Sequence, residues 1–139
     1  MLVLALDTAT PTLVAGLAAW SEDGPTEVLA EQAVPSGTRH AELLTPAISA
    51  VLAAAGVTMG DLDAVVTGLG PGPFTGLRVG VVTAAALADA RGLPVFGVCS
   101  LDAMDLVPAP SSPTPGARRS TGRPTRTTAP ASTDRPSSA

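Results

Sequence analysis

Lysine is absent from the 139 residues, and cysteine and histidine occur once each. Without lysine there is no Walker-type phosphate loop, which needs one to reach the terminal phosphates. A single Cys99, set in an apolar run, excludes an internal disulfide framework and a cysteine-rich zinc site, and it suits a small core residue in a reducing cytoplasm. His40 has no cysteine neighbours to make a zinc site and no nucleophile at helical spacing to make a catalytic pair. It reads as a solvated or capping residue near a helix start. No uninterrupted apolar run approaches the roughly 20 residues of a membrane span, so no membrane association is expected. The opening stretch lacks a basic leader region, carries Asp7 inside its apolar run and reaches Pro11 early, which favours strands over a signal peptide.

What is present fits one domain, since domains commonly run roughly 100 to 200 residues. Charge is divided unevenly along the chain. Up to Val107 there are 11 acidic and 3 basic residues, a balance of −8, whereas the last 32 residues hold 5 Arg and 1 Asp, a balance of +4. An acidic body repels bare nucleic acid, so RNA contact requires a basic partner or the tail. Over 108–139, 19 residues are Pro, Ser or Thr, and no Leu, Ile, Val, Met or aromatic side chain remains. Such a segment cannot offset its ordering entropy and is expected to be disordered, leaving residues 1–107 as the folded unit.

Within that unit, residues 2–6 form an apolar run of the kind buried on both faces of a sheet. Turn signals then separate strands over 13–20 and 27–34, an antiparallel meander. Ala41, Leu44, Ile48, Val51, Leu52 and Ala55 recur at helical spacing, which predicts a helix over 38–55 stopped by Gly56. A strand over 62–68, a helix over 75–91 stopped by Gly92, a strand over 94–98 and a short helix opened by Ser100 as its cap complete the order. The result is an α/β fold, β-β-β-α-β-α-β-α, with a mixed five-stranded sheet.

Two segments could carry chemistry. Asp7, Thr8 and Thr10 follow a buried strand at its C-terminal end, where open α/β sheets place ligands. Asp7 and Thr8 are therefore weak candidates for holding a metal-bound phosphate, against a plain turn in which they bond their own backbone. The second segment runs from Gly68 through Gly70, Pro71, Gly72, Pro73, Phe74, Thr75, Gly76 and Arg78 to Gly80. Glycines allow close backbone approach and a helix start can hold an anion, but Pro71 and Pro73 remove two amide donors. A rigid structural turn is the favoured reading, with Phe74 as an anchor and Thr75 near the cap. Along the next helix Gly76, Gly80, Thr83, Ala84 and Leu87 form a stripe suited to close packing, either on a partner helix or on the domain's own sheet.

The segments LALDTAT, RHAELLTPAI and GLGPGPFTGLRVG together resemble the TsaB (YeaZ) family over residues 2–106. That resemblance implies the N-terminal lobe of an ASKHA (actin-like, RNase H-like) fold. It also implies a non-catalytic, cytoplasmic scaffold that binds no cofactor and pairs with a catalytic TsaD-type subunit and a TsaE-type ATPase. In that setting a threonylcarbamoyl group reaches tRNA adenosine, tRNA being met only through the complex, and a homodimer is the other assembly to consider. In TsaD a His-His-x-x-x-His pattern supplies metal ligands near the segment 97–104. Here Ser100 and Met104 stand where its last two histidines would be, and a hydroxyl and a thioether are poor substitutes for imidazoles.

The C-terminus departs from the family. Members continue into a second lobe near a stretch resembling D-A-R-x-x-E-V-Y-W-A, which this chain lacks. One choice of synonymous codons for residues 111–124, shifted by one nucleotide, encodes V-V-T-D-A-R-R-A-E-V-Y-W-A-T, which implies a frameshift. Two further functions remain open: a small ASKHA phosphotransferase using Asp7 and the glycine loop on ATP, and a fragment without function.

Overall fold

β1 (Leu2–Asp7) takes the centre of the sheet. It pairs antiparallel with β2 (Thr12–Ala19), Leu4 opposite Leu17, and parallel with β4 (Ala64–Gly68), Leu4 opposite Val65. Leu4 and Leu6 are buried, whereas Leu2, Val3 and Ala5 are only half-buried, so the strand is not enclosed on both faces as its apolar run implies. β3 (Glu27–Pro35) extends β2 antiparallel, and β5 (Val95–Val98) extends β4 in parallel, giving the order β3-β2-β1-β4-β5. This is the expected mixed five-stranded sheet, seen in a computed structural model that describes residues 1–105. The expected tail over 108–139 lies outside the described residues.

Strand alternation separates the two faces of the sheet. Leu13, Ala15 and Leu17 of β2 are buried, whereas Val14, Gly16 and Ala18 point the other way and are half-buried. The buried side receives α1 (His40–Ala55) and α2 (Phe74–Arg91). Leu44, Ile48 and Val51 of α1 and Ala84 and Ala88 of α2 join Leu4, Leu6, Leu17 and Val65 in one core. Each fully buried Leu or Val there stabilises the fold by about 1.5–3 kcal/mol. Both helices end on a left-handed glycine, Gly56 at φ 67° and Gly92 at φ 64°, as their sequence stops imply.

Two element starts and one cap differ from expectation, each for a local reason. α1 begins at His40 because Ser36 and Gly37 first donate their amides to Pro11 O, holding the chain in a turn. β4 begins at Ala64 because Met59–Asp61 forms a 3-10 turn. In that turn Asp61 Oδ2 accepts from Thr58 N at 2.7 Å, and Thr58 Oγ1 accepts from Gly60 N at 3.2 Å. α3 (Ser100–Asp105) is not capped by Ser100, whose hydroxyl instead accepts from Gly70 N at 3.1 Å. Because β1, β4 and β5 run parallel, their C-terminal ends and the loops that follow meet at one edge of the sheet.

Candidate functional site

At that edge the half-buried Asp7 leaves β1 and turns its carboxylate inward. Oδ1 accepts from Ala9 N at 2.7 Å, closing the small turn expected for an Asp at a strand end. On the other side the carboxylate lies over Gly68, where an added Cβ would collide with it and come within 2.6 Å of Ser100 Oγ. Asp7, Gly68 and Ser100 thus interlock the ends of β1 and β4 with the start of α3. Sequence reading missed this role of Ser100, and its spacing from the glycine loop carries no periodic signal. Among the described residues no group of three His, Cys, Asp or Glu could hold a metal ion.

The glycine loop is braced at nearly every donor. Leu69 N donates to Val98 O at 2.8 Å and Gly70 N to Ser100 Oγ, while Pro71 and Pro73 have no N–H. Gly72 alone keeps an amide without a partner between Leu69 and Pro73, and a Cβ there would collide with the Ala9 carbonyl. Within the loop that leaves one free amide, and the anion-binding capacity of the segment rests on the first turn of α2, which has no side-chain cap. Phe74 does not anchor the loop. It is 72% exposed, with Arg78 over its ring at 5.2 Å. Thr75 is exposed, and no side chain caps α2.

Thr8 ties the loop after β1 to α2. Its side chain is 1% exposed, and its hydroxyl donates to Gly76 O at 2.6 Å and accepts from Gly80 N at 3.1 Å. This pairing turns the small-residue stripe inward, toward packing within the domain and away from a partner helix. Gly80 and Ala84 are buried, Gly76, Thr83 and Leu87 are half-buried, and Leu87 packs against the core. A Cβ on Gly80 would meet Thr8 Oγ1 at 2.5 Å, so the stripe exists to let α2 approach the chain's own β1 loop.

His40 is likewise not solvated. It is 6% exposed, and its Nε2 donates to Thr10 O at 2.7 Å, which fixes that nitrogen as protonated. Thr10 Oγ1 in turn donates to Thr12 O at 2.8 Å. Thr8, Thr10, His40, Thr75 and Gly76 line a hollow of about 580 Å³ between the starts of α1 and α2. Asp7, Thr8, Thr10 and His40 are thus committed to internal hydrogen bonds that hold the shape of this edge.

A family model described as TsaD, tRNA N6-adenosine threonylcarbamoyltransferase, matches residues 28–117. An uncharacterized protein of Mycobacterium tuberculosis H37Rv is 55% identical over 102 residues, covering 73% of this chain and 47% of that protein. The tRNA threonylcarbamoyladenosine biosynthesis protein TsaB of Escherichia coli K12 is 35% identical over 104 residues, covering 75% and 42% respectively. Among solved structures, YeaZ from Pseudomonas aeruginosa superposes with a TM-score of 0.59 at 33% identity, over 71% of this chain and 45% of that one. The chain spans about half the length of these relatives.

Proposed function

Because the chain belongs to the TsaB (YeaZ) family and carries its ASKHA-type fold, we propose that it is a non-catalytic scaffold in the formation of threonylcarbamoyladenosine on tRNA. The observation that carries this reading is the braced glycine loop, whose amides serve Val98 and Ser100 instead of a phosphate. A lobe with this edge locked has a surface to offer, not a reaction.

That surface is the outward side of α2. Phe74, Arg78, Val82 and Ala85 follow one another at helical spacing, and all are exposed, Val82 at 61%. They stand opposite the buried Gly80 and Ala84 and present an apolar patch with one cation, a composition suited to a partner helix. In this reading a TsaD-type catalytic subunit docks there, a TsaE-type ATPase joins the pair, and tRNA is met through the partners because the lobe itself is acidic. The test is co-purification of a TsaD-type subunit with the Val82→Glu variant. Exposed substitutions shift stability by about 0.5 kcal/mol or less, so the variant stays folded and loses the partner. Undiminished co-purification would overturn the assignment of this face.

A further inference from the structure

A regular α-helix closes each turn by a bond from one residue's N–H to the C=O four residues earlier. In α2 one such pair is Gly80 N and Gly76 O, and the Thr8 hydroxyl bonds both, from 72 and 68 residues away in the chain. A side chain from the loop after β1 thus clasps one turn of the helix from outside. Among the described residues these are the only side-chain hydrogen bonds to the backbone of α2. Gly76 fits the clasp as Gly80 does, since an added Cβ there would come within 2.8 Å of Thr8 O.

Little else holds the first turn. Pro73 has no N–H, no side chain caps the helix, and Phe74 and Thr75 are exposed. Leu77 N donates to Pro73 O at 3.1 Å, and the Leu77 side chain lies over Gly70. Beyond Gly80 the helix is seated by the buried Ala84 and Ala88. The clasp falls between these two parts. Phe74 and Arg78 belong to the loosely tied part, Val82 and Ala85 to the seated one. The loop that supplies Thr8 is itself fixed on either side, because Asp7 Oδ1 accepts from Ala9 N and His40 Nε2 donates to Thr10 O.

We propose that Thr8 is a positioning residue for partner docking, its hydroxyl holding Phe74 and Arg78 in line with Val82 and Ala85 so that the outward side of α2 meets a partner as one surface. The proposal rests on the reading of that side as the docking face. Helix ends with few ties open locally, and a face ordered beforehand loses no affinity to ordering on contact.

Thr8→Val keeps the shape of the side chain and removes the hydroxyl, whereas Thr8→Ser keeps the hydroxyl. Amide hydrogen exchange of the free chain reads the clasp without a partner. In Thr8→Val the amides of Leu77, Arg78, Val79 and Gly80 should exchange faster while those of Ala84 to Ala88 are unchanged, and Thr8→Ser should exchange as the parent does. Calorimetric titration with a TsaD-type subunit, well below the thermal midpoint, reads the consequence. Thr8→Val should bind about tenfold more weakly, and Thr8→Ser as tightly as the parent. A purely structural Thr8 would quicken exchange throughout the lobe and leave the affinity of the folded chain unchanged, which would overturn the proposal. So would Thr8→Ser losing the partner together with Thr8→Val. Should Thr8→Val not fold, Gly76→Ala replaces it, since its Cβ pushes the first turn off Thr8 O, and undiminished binding by that variant overturns the proposal as well. Undiminished binding by Val82→Glu sinks the docking face, whereas parental exchange at residues 77–80 in Thr8→Val sinks the clasp, so the two failures are told apart.

Discussion

Thr8 does more for this lobe than its place in a turn suggests, because one hydroxyl serves both as donor to Gly76 O and as acceptor for Gly80 N. The two glycines are the complement of that side chain. Gly80→Leu should therefore lower stability by about 1–3 kcal/mol through overpacking, a fall of several degrees in the thermal midpoint. A substitution of equal size on the outer side, Val82→Leu, should leave the midpoint nearly unchanged. If Gly80→Leu melts with the wild type, the inward placement of the stripe is wrong. Small residues at spacings of three and four were plain in the sequence, but their direction was not. The same spacing serves a partner helix or the chain's own sheet, and the deciding atom lies 72 residues away, in Thr8.

Helix boundaries depend on backbone sterics that act over a few residues. Gly92 closes α2 at φ 64° with nothing within 4 Å of an added Cβ, so Gly92→Ala should cost about 1 kcal/mol from conformation alone. Urea denaturation measures this directly, and an unchanged midpoint would mean that the left-handed cap is not held in solution. The 3-10 turn before β4 carries a pH signature. Backbone and then side-chain hydrogen bonds from Thr58 hold the Asp61 carboxyl below its ordinary 3.8, with a smaller contribution from Arg91. A carboxyl whose folded pKa is depressed contributes stability above its unfolded pKa and loses it as pH falls through the folded value. Asp61→Asn should accordingly lower stability near neutrality and flatten the acid limb, converging on the parent as pH falls below about 4. A variant whose acid limb is as steep as that of the parent would contradict the cause assigned to the shift.

At the scale of the whole molecule, the locked edge predicts that calorimetric titration with ATP shows no saturable binding at micromolar concentration. There is no lysine, Pro71 and Pro73 have no N–H, and Leu69 and Gly70 donate internally, which leaves the uncapped start of α2 to supply any anion site. Saturable binding would favour the phosphotransferase reading over the scaffold. The order of strands and helices was readable beforehand, because apolar run length, 3.6-residue periodicity and glycine stops act locally and survive in any context. Resemblance in three short segments pointed to the family for a related reason, since those residues meet at one edge of the sheet and constrain one another there. The inward face of α1 was legible in Leu44, Ile48, Val51 and Leu52, but which way α2 and individual aromatic and histidine side chains face was not. Phe74 and His40 show this most clearly, an aromatic left outside and a histidine taken inside against Thr10 O. Burial is decided by what the rest of the chain places on each side of an element, and for α2 and Thr8, as for His40 and the β1 loop, that neighbour is distant in sequence. Only tertiary structure brings the two together.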